Sequence, residues 1–342
     1  SGDRMASDWS RLVAACLLPC CTGGPRQVLE DRGPKLAYDV VGTGASIFAW
    51  LAGGAEIAYV SNTPELIAVR VADGARRQLD AARPYFAANL ARSQDAAALY
   101  FIAEDLSGPV SSFTVREALA HQTLPVGEVR GVDPAVSADG RRVLYWTASG
   151  VPSVADASGA ILSASGCSPL YPVLPVFSPS ADQLLCGGEP PVLFNLADGS
   201  TQEVPDGSPG LWRAVRWRDG ELQVVALAAE QLHERVYLLD LVRGGQHSLY
   251  DTQEGLLDFA HAAISADGRQ VAFWETECLH AQSFLSCEPG QTEARLKVVE
   301  TASGQTRTVA TGAGDPGQIA FADDGVRIAY VFGSGLHLRA LP

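Results

Sequence analysis

The stretch AVSADGRRVLYW (residues 135–146) returns nearly unchanged as AISADGRQVAFW (263–274) and again as AFADDGVRIAYV (320–331). Each copy is an apolar segment, a turn centred on Asp-Gly, and a second apolar segment rich in Val, Ile, Tyr and Trp. Such residues fit strands, and Gly supplies a positive φ without steric cost. A two-residue hairpin turn is the expected connection. Weaker copies are VFSPSADQLLC (176–186), VRWRDGELQVV (215–225), FAWLAGGAEIAY (48–59) and NLARSQDAAALY (89–100), which makes seven. Taking residues 54, 95, 140, 182, 220, 268 and 325 as the ends of the turns, the unit recurs roughly every 40 to 55 residues, a length that suits a four-stranded propeller blade. Two further strand candidates lie in each interval, for instance 65–71 with 76–79 and 235–241 with 246–249. They are joined by turn residues such as Ala72-Asp73-Gly74 and Ala197-Asp198-Gly199.

The rest of the chain agrees with an all-β domain of 342 residues. Apolar residues make up 47% and charged residues 19%, with 34 Gly, 20 Pro and a net charge of −14. That composition excludes a disordered tail and a Lys/Glu-rich bundle, and the negative charge argues against nucleic acid as a partner. The expected organisation is a leader and linker over 1–24 followed by one β-propeller domain over 25–342.

The repeat resembles the Ser-Pro-Asp-Gly repeat of TolB-type, WD-repeat-like β-propellers, most fully at Phe177-Ser178-Pro179 and in the three Asp-Gly copies. The resemblance runs over 35–342. It implies a seven-bladed propeller of four-stranded antiparallel blades and says little about function, because this repeat occurs in scaffolds and in enzymes alike. The last unit holds only three strands, 317–321, 326–332 and 336–341, so the amino-terminal stretch 35–41 is the candidate for its fourth.

Near the amino end, Arg11, the apolar run 12–18 and the small residues 22–24 follow the order of an export signal, and the run is too short to span a bilayer. A lipoprotein signal is similar, which makes Cys20 and Cys21 lipidation candidates, although Pro19 departs from its small-residue rule. Cys167, Cys186, Cys278 and Cys287 form two closely spaced pairs, as two local disulfides in an oxidising compartment require. The expected location is therefore periplasmic or at the outer membrane, with membrane contact only through a lipid anchor.

Aligning the seven turns places Ile47, Ala87, Asp133, Leu174, Arg213, His261 and Gln318 at one level of the innermost strands. Asp133, Arg213, His261 and Gln318 are then channel-mouth candidates, which either bind a small polar ligand or peptide terminus or plug the channel by bonding one another. An insertion between Trp274 and Arg295 carries Leu279, Phe284 and Leu285, candidates for contact with a partner. No hydrolase elbow, phosphate loop, cofactor motif or metal-ligand spacing is present. The sequence thus favours a non-enzymatic platform for an envelope protein or peptide. The alternative is a lyase or hydrolase acting at the channel mouth around His261.

Overall fold

The computed structural model describes residues 35–37, 40, 47–85, 90–108, 111–130, 134–156, 158–159, 161–167, 175–187, 190–204, 211–218, 220–230, 233–252, 256–278 and 292–341. Their strands sort into seven four-stranded antiparallel sheets. The innermost strands of blades 1 to 7 are Phe48–Trp50, Ala91–Arg92, Ala135–Val136, Val176–Phe177, Leu211–Arg218, Leu256–Ile264 and Pro316–Phe321. Each lies against the innermost strand of the next blade, and that of blade 7 lies against that of blade 1, so the sheets form a closed ring. Blades 1 to 6 are meanders of consecutive strands. In blade 7 the outermost strand is Lys35–Ala37, antiparallel to Gly335–Ala340.

The core lies between the blades, which explains why the second strand of each copy reads as a continuous apolar run. Alternate side chains of a strand leave opposite faces of its sheet, and here both faces are covered. In blade 6, Ala272 and Trp274 pack with Ile328 and Tyr330 of blade 7, while Val271 and Phe273 pack with Val225 and Leu227 of blade 5. Burying one such large apolar side chain stabilises the fold by about 1.5–3 kcal/mol.

The turn at the end of each innermost strand is built the same way in blades 2, 3, 4 and 6. It opens on a buried serine: Ser93, Ser137, Ser178 or Ser265. The serine carbonyl accepts the N–H three residues on, at 2.9–3.0 Å. Its hydroxyl accepts the N–H five residues on (2.9–3.0 Å) and donates to the aspartate of the turn, Asp95, Asp139, Asp182 or Asp267 (2.6–2.7 Å). The Ser137 hydroxyl holds the Asp139 carboxyl below the ordinary carboxylate range, and Ser180 with Ser178 does the same for Asp182.

This connection is four residues long rather than the expected two. Ser137 N–H bonds the Arg142 carbonyl as the last rung, leaving 138–141 as the loop. A two-residue type I′ turn needs two successive positive φ values, whereas the turns of blades 2, 3, 4, 6 and 7 have one, as in loops built around a type I turn; blade 1 has two, at Gly53 and Gly54. The left-handed residues are Gly54, Ala96, Gly140, Ala181, Gly220, Gly268 and Gly325, with φ between 55° and 76°. In blades 2 and 4 the position thus falls on Ala96 and Ala181, beside the aspartates Asp95 and Asp182 that the sequence spacing selects. Three of their carbonyls, those of Gly54, Gly140 and Ala181, face the preceding blade. Tyr100 donates to the Gly140 carbonyl (3.0 Å), Arg142 to that of Ala181, and Arg327 to that of Gly54 (2.7 Å).

Cys167, in the connection leaving blade 3, is disulfide-bonded to Cys186 in the second strand of blade 4, 19 residues on. Of the other expected pair, Cys278 ends the strand Gln270–Cys278 and Cys287 lies outside the described residues, as do Cys20 and Cys21.

Three outcomes follow for unfolding by denaturant. Replacing both Cys167 and Cys186 by Ala should lower stability by about 3 kcal/mol, the loop-closure value for this separation. Ala181→Gly should raise stability by about 0.5–1 kcal/mol, the left-handed strain relieved less the added chain entropy. Gly140→Ala should do the reverse and cost about 2 kcal/mol, because its Cβ adds that strain and meets the Ala98 Cβ at 2.8 Å.

Candidate functional site: the turn-side mouth of the central channel

The innermost strands enclose a central chamber of about 480 Å³ lined from all seven blades, within the size range of small-ligand sites. Val136, Val176, Val215, Ile264 and Ala320, one from each of blades 3 to 7, are half-buried on its wall. Beyond the turns lies a second hollow of about 420 Å³, which shares Gln94, Ala138, Arg218 and Asp323 with the chamber and adds Asp95, Asp139 and Pro179. These four residues, in the turns of blades 2, 3, 5 and 7, therefore mark the boundary between the two spaces.

That boundary is crossed by polar bonds between blades that are not neighbours. Arg92 of blade 2 forms an ion pair with Asp323 of blade 7 and also donates to the Gln94 carbonyl (3.2 Å). It reaches past blade 1, whose turn residues Leu51-Ala52-Gly53-Gly54 carry no polar side chain. Gln94, with its amide turned so that its oxygen faces the guanidinium, lies against Arg218, closest to Nε, and brings blade 2 to blade 5. Arg216 anchors this side: its Nε donates to the Ala266 carbonyl of blade 6 (2.9 Å) and its Nη1 pairs with Glu221 (3.0 Å) and Gln223 (3.1 Å). Guanidinium and carboxamide groups do not exchange protons near neutral pH.

Among the aligned residues that the structure describes, Gln318 alone lines the chamber, and it is engaged in holding the ring. Its Oε1 accepts the Phe48 N–H and its Nε2 donates to the Phe48 carbonyl, both at 2.9 Å and buried, so one side chain completes a strand-like pair between blades 7 and 1. Arg213 is half-buried and donates to the Trp212 carbonyl (3.3 Å); His261 is buried in blade 6. Ala87, Asp133 and Leu174 lie outside the described residues, and counting back from Ser93 makes Asn89, not Ala87, the equivalent position in blade 2. Arg213, His261 and Gln318 each sit in an interruption of the strand register, at 212–214, 257–262 and 316–319. A bulge re-aims its side chains, so period-two counting from the turn fails at this level.

The residues that sequence reasoning missed are Arg92, Gln94, Arg216, Arg218 and Asp323, at the opposite end of the same strands. The signal was a departure from the repeat. Where blades 3 and 6 carry Val136 and Ile264 before the turn position and Ala138 and Ala266 after it, blade 2 carries Arg92 and Gln94, and blade 5 carries Arg216 and Arg218.

A second feature rises from blade 6. Its strands Gln270–Cys278 and Thr292–Glu300, nine residues each, frame the insertion that holds Leu279, Phe284 and Leu285, all outside the described residues. Glu277 and Glu293 face one another directly across this pair, and Arg295 bridges them at 2.8 and 2.6 Å. Below them buried Glu275 accepts from Tyr250 (2.7 Å) and pairs with Lys297 (3.3 Å). Burial, then the Glu275 carboxylate, push the Tyr250 phenol well above its usual range.

No protein family and no curated protein matches the chain in sequence. Among solved structures, the β-propeller domain of Cps50 (Swd1) from Myceliophteria thermophila is similar with a TM-score of 0.56 at 12% identity, covering 89% of this chain and 99% of that one. TolB from Acinetobacter baumannii gives a TM-score of 0.48 at 14% identity, over 77% of this chain and 65% of that one. Hydrazine synthase from Kuenenia stuttgartiensis gives 0.45 at 18% identity, over 70% and 72%. The first likeness and the closed ring of seven sheets define the class: the chain is a seven-bladed β-propeller.

The Gln318 clamp is testable by unfolding. Gln318→Leu should cost about 2–4 kcal/mol, because it leaves a buried N–H and a buried carbonyl on Phe48 without partners. A loss below about 0.5 kcal/mol would show that the clamp is dispensable.

Proposed function

We propose that the protein is an exported, non-enzymatic propeller that serves as a protein- or peptide-binding platform in the bacterial cell envelope. The observation that carries the reading is the turn-side mouth, where arginines from blades 2 and 5 and Asp323 from blade 7 gather at one opening of a ligand-sized chamber. Groups of this kind recognise partners by charge and planar hydrogen bonding. Supporting the compartment is the Cys167–Cys186 disulfide, since such bonds persist where the surroundings are oxidising. In this reading residues 1–24 are the leader, Cys20 or Cys21 carries a lipid anchor, and Cys278 pairs with Cys287 at the base of the blade 6 insertion. Leu279, Phe284 and Leu285 then supply the apolar contact with the partner.

The test is affinity capture from a detergent-solubilised envelope fraction. The full chain should retain one partner that a bait carrying Leu279→Ser, Phe284→Ser and Leu285→Ser loses. Recovery by the full chain of nothing beyond what an unrelated propeller retains would overturn the platform reading.

A further inference from the structure

We infer that the outer hollow of the turn-side mouth is a binding site for an uncharged, hydroxyl-rich ligand: a hexose, free or at the end of a glycan. The inference goes beyond the binding-platform reading, which places the contact with a partner on the blade 6 insertion. Three observations carry it.

The first is the balance of charge. Around the polar layer Arg92, Arg216 and Arg218 stand against Asp95, Asp139, Glu221 and Asp323, three guanidiniums to four carboxylates. The exposed Arg141, 4.0 Å from Asp139, is a fourth cation. Both signs are interleaved here, so an anionic or a cationic occupant meets repulsion as well as attraction. A neutral one meets no repulsion.

The second is what the charged groups still offer. Asp95 Oδ1 accepts from the Ser93 hydroxyl (2.7 Å) and the Ala97 N–H (2.9 Å), and Asp139 Oδ1 accepts from the Ser137 hydroxyl (2.6 Å) and the Arg141 N–H (3.1 Å). The bonds that build both turns fall on one oxygen of each carboxylate, and Oδ2 keeps room to accept. The Ala97 N–H and the Ser137 hydroxyl hold the two carboxyls below the ordinary carboxylate range, so both are ionised acceptors at neutral pH. Arg92, paired with Asp323 of the same hollow, supplies donors. Both of its hydrogen bonds fall on Nη2, and its Nε–H is buried with no acceptor among the described residues. An alcohol hydroxyl gives to a carboxylate and takes from a guanidinium at once, which neither a carboxylate nor an ammonium can do. A ring of adjacent hydroxyls therefore matches donors and acceptors set side by side.

The third is shape. The hollow, about 420 Å³, falls within the range of small-ligand sites, and Ala138 and Pro179 give it an apolar wall between the charged groups. A sugar ring has the same two-part surface, with C–H groups on its face and hydroxyls around its rim.

The probes are D-glucose, D-galactose, D-mannose and N-acetyl-D-glucosamine, each titrated calorimetrically into the full chain. At least one should bind with millimolar affinity or better. Its anionic uronate and its cationic 2-amino counterpart should bind at least fivefold more weakly. A tenfold rise in salt should change the affinity less than twofold, because the ligand carries no charge to screen. Loss of binding in the methyl glycosides of that sugar points to a free hexose, and retention points to the end of a glycan. Asp139→Asn and Arg92→Met should each weaken the sugar fivefold or more. Ala138→Leu, which fills the hollow without removing a hydrogen-bonding side chain, should do the same and keeps the test decisive where Arg92→Met does not fold. The inference is overturned if no neutral sugar binds, if a charged counterpart binds as tightly, or if folded Asp139→Asn and Ala138→Leu variants both bind as the parent does. The chain carrying Leu279→Ser, Phe284→Ser and Leu285→Ser should bind the sugar unchanged, and loss of binding there would also overturn it. A partner captured by a chain that binds no sugar would leave the platform reading standing and remove this one. Sugar binding without a captured partner would do the opposite.

Discussion

The structure depends on left-handed residues in the turns beside the channel, whose carbonyls join one blade to the next at Gly54, Gly140 and Ala181. In these three turns the carbonyl is directed sideways, out of its own blade, and a carbonyl next to the core needs a donor. The donor comes from the blade before. Tyr100, Arg142 and Arg327 each extend from a second strand to the turn of the next sheet. The ring is therefore joined by apolar packing between faces and by directional bonds at the turns. Those bonds fix how far each turn stands from the axis, and the residue that follows the turn serine is carried to the mouth.

The junction of blades 7 and 1 shows what happens where the repeat is weakest. The innermost strand of blade 1 ends in a turn that has no serine and carries two successive left-handed glycines, Gly53 and Gly54. Side chains join the two blades here: Gln318 holds both polar groups of Phe48, Trp50 Nε1 reaches the Ala320 carbonyl (3.2 Å), and Arg327 lies 5.3 Å from the centre of the Trp50 ring while capping Gly54. The same poverty of side chains in the blade 1 turn leaves the gap across which Arg92 meets Asp323. Closure of the ring and the asymmetry of the mouth thus have one origin.

How much of this was legible in the sequence differs by level. The seven repeats, their four strands and the core positions follow from strand alternation and turn residues, which act locally, so AVSADGRRVLYW alone carries most of the fold. Turn length was not legible, because Asp-Gly serves two-residue and four-residue connections alike. What distinguishes them is the serine two residues ahead of the aspartate, at Ser93, Ser137 and Ser265, whose hydroxyl closes the longer loop. The level of Arg213, His261 and Gln318 could not be read either, since bulges depend on packing between blades. The mouth was readable in principle as charged letters at positions where other copies are apolar, a pattern that emerges only when the copies are compared on the side of the turn.

Arginine accounts for nearly all of the chain's cations, with lysine at only Lys35 and Lys297, and the structure gives a reason. Arg216 bonds a backbone carbonyl, a carboxylate and an amide at once, and Arg92 joins a backbone carbonyl to Asp323. A planar guanidinium presents five donors in fixed directions, whereas an ammonium is a compact point charge. A lysine at either place keeps the charge and loses the simultaneous hold on neighbouring blades. The groups that tie the ring together at its turns are therefore of the same kind as those that face the channel, and some side chains do both.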